Sequence, residues 1–179
     1  MNSPTQLATF AGGCFWCLDA IFSRLKGVEA VAVGYIGGTA PYPSYEAVCE
    51  GRTGHAEAVQ CRFDPSQISY KTLLEVFFSI HAPTTLDRQG NDIGTQYRSA
   101  FFWHSVQQEG EARAYLAQLN STLPADHPAV TMLCAATRFY PAEAYHKNYF
   151  ATHPHLPYCA ALIAPKLAHF TQAFSAIFK

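Results

Sequence analysis

The segment "TQLATFAGGCFWCLDAIF" constrains the fold more than any other stretch of the chain. Its first half is a short extended run that stops at Gly12-Gly13. From Cys14 onward the period changes, because Phe15, Leu18, Phe22 and Leu25 fall at helical spacing. This predicts a strand followed at once by a helix from Cys14 to about Lys26. The same alternation continues downstream. "GVEAVAVGYIGG" and "HAEAVQCRF" are β-branched or alternating runs bounded by turn residues, and both predict strands. Ser44 and Ser69 stand where an N-cap would start the helices "YEAVCEG" and "YKTLLEVFFSIH". "YRSAFFW" and "AVTMLCAAT" predict two more strands on either side of the solvent-facing helix "SVQQEGEARAYLAQLN". "PAEAYHKNYFATH" predicts a helix with proline in its first turn. The tail "PHLPYCAALIAPK" has no period, and Leu167, Phe170, Phe174, Ile177 and Phe178 suggest a closing amphipathic helix. The expected fold is α+β: a two-layer sandwich of helices packed against a mixed β-sheet, with an irregular C-terminal tail.

At 179 residues the chain is expected to form one domain, and a domain of this size buries ~70% of its unfolded surface without disulfide staples. Twelve basic and thirteen acidic side chains leave a net charge of −1 with no block of like charges. Nucleic acid and anionic membranes are therefore poor partners. No apolar run approaches the roughly 18 residues a membrane span needs. The N-terminus "MNSPTQLATF" carries neither a basic nor an apolar leader region, so a cytoplasmic location is expected. In such a chain six cysteines argue for redox or metal chemistry over a disulfide framework. Cys49, Cys61 and Cys134 sit in apolar patterns and are expected to be packed thiols.

Cys14 stands where the helix begins, and free N–H groups with the positive end of the helix dipole favour a thiolate there. The paired glycines suggest a backbone kept clear for something to approach. Cys17 shares a helix face with Cys14, so the CxxC pair fits a thioredoxin-like dithiol, half of a zinc site, or a nucleophile with a neighbour. His153, His155 and Cys159 are candidate zinc ligands, but their spacing completes no standard site. In "HAEAVQCRF" a period of two aligns Glu57 with Val59, Cys61 and Phe63. A carboxyl in that company is poorly solvated, stays protonated near neutrality and can serve as a general acid. The loop 81–96, "HAPTTLDRQGNDIGTQ", is long and polar with no hydrophobic period, which marks it as functional. It carries Asp92, Tyr97 follows it, and Tyr45 begins the short helix after Ser44.

Five segments, "GCFW", "GYIGG", "SYEAVCEGRTGHAEAV", "RQGNDIGTQYRSA" and "FYPAEAYHKNYF", together resemble the peptide methionine sulfoxide reductase A family over about residues 7 to 165. The resemblance implies reduction of methionine-S-sulfoxide, free or in proteins, as repair of oxidative damage. Cys14 would attack the sulfoxide sulfur, while Phe15 and Trp16 form the pocket for the methyl group. Glu57 would protonate the oxygen, and Tyr45, Asp92 and Tyr97 would orient it. Cys14 is then left as a sulfenic acid, with which a second thiol condenses. The family commonly resolves it with a C-terminal cysteine, so Cys159 is the favoured resolver and Cys17 the second candidate. The implied layout is a single catalytic domain: a core at about 7–150, a resolving-cysteine tail at about 151–165 and a helix at about 166–178. The implied enzyme is a monomer with no cofactor and no metal, recycled by thioredoxin or a similar dithiol. Ala82 stands where the family usually has Asp, which is expected to loosen the loop that carries Asp92. The alternative is a thioredoxin-like disulfide oxidoreductase using the CxxC pair, a reading that leaves Glu57 and the "RQGND" loop without a role.

Overall fold

In the computed structural model of the chain, residues 4–179 are described. The leader expectation begins at residues 1–3, which lie outside the described residues. The strands are β1 (Gln6–Ala11), β2 (Val28–Ile36), β3 (Ala56–Phe63), β4 (Arg88–Gln89), β5 (Asp92–Ile93), β6 (Ala100–Trp103), β7 (Met132–Ala135) and β8 (Tyr140–Pro141). The helices are α1 (Phe15–Phe22), α2 (Tyr45–Cys49), α3 (Tyr70–Ile80), α4 (Val106–Thr122), α5 (Tyr149–Thr152) and α6 (Ala164–Ala173). The main sheet runs β7-β6-β1-β3-β2-β8 and is antiparallel except for the parallel β6–β7 pair. β4 and β5 form a separate hairpin.

The core lies between one face of this sheet and the helices. Phe10, Val59, Cys61, Phe63 and Phe101 meet Leu18 and Phe22 of α1, Leu73 and Phe77 of α3, Ala112 of α4 and Phe170 of α6. Phe10 is central, its ring stacked at 5.1 Å on Phe22 and at 5.1 Å on Phe77. Truncating such a ring to alanine costs about 3–5 kcal/mol. The other sheet face is built from small residues, Ala56, Ala58 and Ala100 with Ile36 and Phe102, and the segment carrying Phe139 covers it. The alternation read from β3 therefore separates two packed faces rather than a packed face from a wet one.

Both serine caps form as expected: Ser44 Oγ accepts from Ala47 N at 3.2 Å, and Ser69 Oγ accepts from Thr72 N at 3.0 Å. Four local expectations change. The helix α1 stops at Phe22, because Leu25 bridges to Phe178 and Gly27 turns the chain into β2 at φ +82°. "PAEAYHKNYFATH" is not one helix. Pro141 pairs with Gly34 on the sheet edge, where a missing amide is tolerated, and Asn148 adopts φ +52°, leaving only a 3₁₀ turn and the four-residue α5. Within the tail, Cys159–Ile163 is a π-helical segment that runs directly into α6. Pro165 has no N–H to offer residue 161, so the ordinary ladder is interrupted there in any case. Cys49 is exposed and Cys134 partly so, leaving Cys61 as the one fully packed thiol of the three. No helix among the described residues is long and apolar enough to cross a membrane.

Candidate active site

Cys14 is the N-cap residue of α1, and β3 delivers Glu57 to the same helix end. Glu57 Oε2 accepts a hydrogen bond from Phe15 N at 3.0 Å, so the carboxyl occupies the first free donor of the helix that Cys14 starts. Glu57 is 1% exposed. Burial, with Asp92 and Cys17 adding negative charge, lifts its pKa from 4.5 to about 8 against the pull of the Phe15 amide. The shift is in the direction that the apolar company of Glu57 in the sequence predicts.

At Cys14, burial works against the thiolate expected from the helix start. Burial pushes the Cys14 thiol well above its ordinary value, and its hydrogen bond to Cys17 and the charge of Glu57 add to that. The partner thiol moves the other way. The hydrogen bond from Cys14 lowers Cys17, assisted by the Lys166 ammonium and the Tyr158 hydroxyl. Desolvation at Cys14 thus opposes the half-charge of the eight-residue helix.

The glycines also serve a different end. A Cβ on Gly12 would sit 2.8 Å from Phe77 and 3.1 Å from His81, and one on Gly13 would sit 2.9 Å from Gln89. Gly13 additionally has φ +88°. The pair is small so that α3 and the β4–β5 hairpin can pack against the strand-to-helix turn. Gln89 fixes that hairpin in two directions, accepting from Ala82 N at 2.8 Å and donating to Ala82 O at 2.7 Å. Both bonds use the Ala82 backbone, so the alanine at this position does not free the loop as expected from its side chain.

Phe15 is fully buried and stacks on Tyr45 with centroids 6.4 Å apart at 17°. Trp16 stacks on Tyr149 at 3.8 Å and 7°, with Tyr158 meeting its ring edge-on at 5.9 Å. These rings form an aromatic cage beside Cys14. Tyr45 and Tyr97 are half-buried hydroxyls whose pKa values are raised by burial and then by the nearby Glu57. His153 and His155 are exposed and join no ligand group among the described residues, whereas the residues proposed for the sulfoxide reaction converge, with one qualification of position. Cys159 packs in the same cluster as Cys14 and Cys17, yet it is 0% exposed, and the charge it senses is that of Cys17.

Four contributors had no role assigned from sequence. The Tyr158 hydroxyl donates to Asp92 Oδ2 at 2.6 Å, and both residues line the cavity that holds the cysteine pair. Trp16 Nε1 donates to His146 Nδ1 at 3.0 Å, which requires that the His146 proton sit on Nε2. Glu143 Oε2 lies 3.1 Å from that Nε2, off the ideal hydrogen-bond direction, and accepts from the Tyr35 hydroxyl at 3.0 Å. Its other oxygen accepts from Tyr45 N at 3.1 Å, so Glu143 and His146 brace both sides of the cage. The segment "FYPAEAYHKNYF" holds Glu143, His146 and Tyr149, and its density of aromatic and titratable residues was the available signal. Among the described residues, no group of three or more His, Cys, Asp or Glu converges as metal ligands.

The geometry agrees with the known proteins this chain is similar to. The family model for peptide methionine sulfoxide reductase matches residues 6–177. A peptide methionine sulfoxide reductase MsrA from Polynucleobacter asymbioticus is 51% identical over 177 residues, covering 98% of this chain and 93% of that protein. Methionine sulfoxide reductase A of Corynebacterium diphtheriae superposes with a TM-score of 0.80 at 34% identity, over 84% of this chain and 76% of that one. Mxr1 from Saccharomyces cerevisiae in reduced form gives 0.77 at 33% identity, over 85% and 87% of the two chains. The same yeast protein in complex with Trx2 shares the fold at a TM-score of 0.55 and 23% identity. A buried acid at the head of the cysteine helix, an aromatic cage beside it and likeness over nearly the whole length lead to one assignment: this chain belongs to the peptide methionine sulfoxide reductase family.

Proposed function

We propose that the chain is a peptide-methionine (S)-S-oxide reductase in which Cys14, Glu57 and Cys17 carry the chemistry. The observation that supports this most directly is the Glu57 carboxyl, buried, protonated at neutral pH and fixed on the amide next to Cys14. A sulfoxide oxygen is held weakly enough to transfer only once it is protonated, and a neutral carboxyl in a site closed to water is suited to give that proton. The methyl group enters the Phe15–Trp16 cage, and Tyr45 and Tyr97 donate to the oxygen.

Cys14 gives its proton to Cys17, with which it already shares a hydrogen bond, and attacks the sulfoxide sulfur while Glu57 protonates the oxygen. The oxygen passes to Cys14, so thiol plus sulfoxide become sulfenic acid plus thioether. Cys17 then condenses with the sulfenic acid, forming the Cys14–Cys17 disulfide and releasing water. Cys17 is favoured over Cys159 for this step, because it already touches Cys14, whereas Cys159 is held in a π-helical segment and buried. A dithiol reductant such as thioredoxin then regenerates the pair, as the Mxr1 complex with Trx2 suggests by analogy. The working unit we propose is a cytoplasmic monomer with one catalytic domain, comprising the core, the tail at about 151–165 and the closing helix.

The test is turnover with dithiothreitol on each epimer of a methionine sulfoxide peptide, followed by thioether formation. Reduction of the S epimer alone is expected, and loss of all turnover in Cys14→Ser. Equal turnover of both epimers, or activity in Cys14→Ser, would overturn the assignment of roles.

A further inference from the structure

A cavity of about 460 Å³ opens on the cysteine pair, and none of Phe15, Trp16, Tyr45, Glu57 or Tyr97 lines it. Its walls include Cys14, Cys17, Asn91, Asp92, Tyr158 and Lys166. The pair therefore faces a cleft that the Phe15 and Trp16 rings do not line, with Asp92 the one residue of the oxygen-orienting set on its wall. The volume falls in the range of small-molecule sites and is too small to admit a folded protein. We infer that the cleft admits a short carboxylate-bearing monothiol as reductant, its carboxylate on Lys166 and its sulfur directed at the Cys14–Cys17 disulfide. This rests on the proposal that Cys17 closes the disulfide.

Three observations carry the inference. First, Cys14 and Cys17 both lie on the wall of the cleft, whereas the rings assigned to the methyl group do not. Second, Lys166 is exposed at the cleft and takes part in none of the ion pairs found among the described residues. Its ammonium also acts on Cys17, whose pKa it lowers, so charge and sulfur are near neighbours. Third, the one anion on the wall, Asp92, already accepts the Tyr158 hydroxyl at 2.6 Å. A carboxylate would thus settle at the Lys166 end of the cleft, away from Asp92.

The chemistry balances with two equivalents of thiol. The first thiolate attacks Cys14 Sγ, the Cys14–Cys17 bond breaks, and Cys17 leaves as the thiolate that the Lys166 ammonium stabilises. The second thiolate attacks the reductant's sulfur in the resulting mixed disulfide, and the Cys14 sulfur leaves and takes a proton from Glu57, which solvent has re-protonated since the sulfoxide step. Two thiols are oxidised to their disulfide and one protein disulfide is reduced.

The experiment is steady-state reduction of a methyl sulfoxide driven by mercaptosuccinate, 2-mercaptoethanol or cysteamine at matched thiolate concentration, in the full-length chain and in Lys166→Glu and Lys166→Arg. Mercaptosuccinate is expected to half-saturate at about one tenth the concentration of 2-mercaptoethanol, the size expected of a partly screened charge contact. Lys166→Glu should remove that advantage and favour cysteamine, and Lys166→Arg should keep it, each read as a ratio to 2-mercaptoethanol in the same variant, since loss of the ammonium also raises Cys17 and changes the rate with every thiol. The same ranking of thiols in the native chain and in Lys166→Glu would overturn the inference. Mass spectrometry after one turnover without added thiol separates the two levels. Absence of a Cys14–Cys17 disulfide refutes the role of Cys17 and this inference with it. Presence of the disulfide with charge-blind regeneration refutes the inference alone.

Discussion

Replacing Glu57 by glutamine should make the protein more stable and nearly inactive, and both effects follow from one proton. Burial raises the carboxyl pKa from 4.5 to about 8 in the folded state. A raised acid pKa means that the folded chain holds a proton the unfolded chain releases, so stability declines as pH climbs from 4.5 to about 8 and is level beyond. At about 1.4 kcal/mol per pH unit of displacement, the native Glu57 costs about 3 kcal/mol at pH 7 and about 5 kcal/mol at pH 9. Glutamine can still accept from the Phe15 amide and does not titrate. Urea unfolding of the two proteins at pH 4, 7 and 9 should therefore show near-equal stability at pH 4 and a growing advantage for Glu57→Gln above it. Turnover should fall about 10²–10⁴-fold, the usual worth of a general acid. The native single-turnover rate should lose its acid above about pH 8, whereas the residual rate of the variant should lack that limb. A stability gap that is the same at all three pH values would refute the claim of a desolvated, neutral carboxyl.

Other outcomes are equally specific. In dithiothreitol-free single turnover, Cys17→Ser should release one thioether and stop at the sulfenic acid, whereas Cys159→Ser should still form the Cys14–Cys17 disulfide, and peptide mass spectrometry distinguishes them. His146→Ala should free the Trp16 indole, raising KM more than it lowers kcat and shifting tryptophan emission to the red. If emission is unchanged, the hydrogen bond from Trp16 is not what holds the ring. Asp19, buried on α1 and accepting from Asn148 N at 3.1 Å, has its pKa raised by burial from 3.8 to about 6. Asp19→Asn should thus gain about 2–3 kcal/mol above pH 6 and nothing below pH 4, measured by the same unfolding series.

The elements were legible wherever the chain's own neighbours decide them. The strands around Phe10, Val59 and Phe101, the serine caps and the closing helix all express a period or a cap within a few residues. The helix expected over "PAEAYHKNYFATH" failed for the opposite reason. Pro141 is recruited by Gly34, more than 100 positions away in sequence, and no local pattern announces that pairing. The hairpin β4–β5 was likewise hidden, since it stands on Gln89 clasping Ala82 rather than on alternating apolar residues.

The sequence by itself determined the order of strands and helices, the placement of a cysteine at a helix start and the presence of an acid in an apolar strand. Tertiary structure decided the proton affinities and the partners. Glu57 reaches the Phe15 amide across 42 positions, Tyr158 reaches Asp92 across 66, and Trp16 reaches His146 across 130. Those contacts and the burial that accompanies them raise the Cys14 thiol, lower Cys17 and enclose Cys159. A backbone period depends on adjacent residues, whereas the free energy of a charge depends on everything packed around it, and only the folded chain specifies what that is.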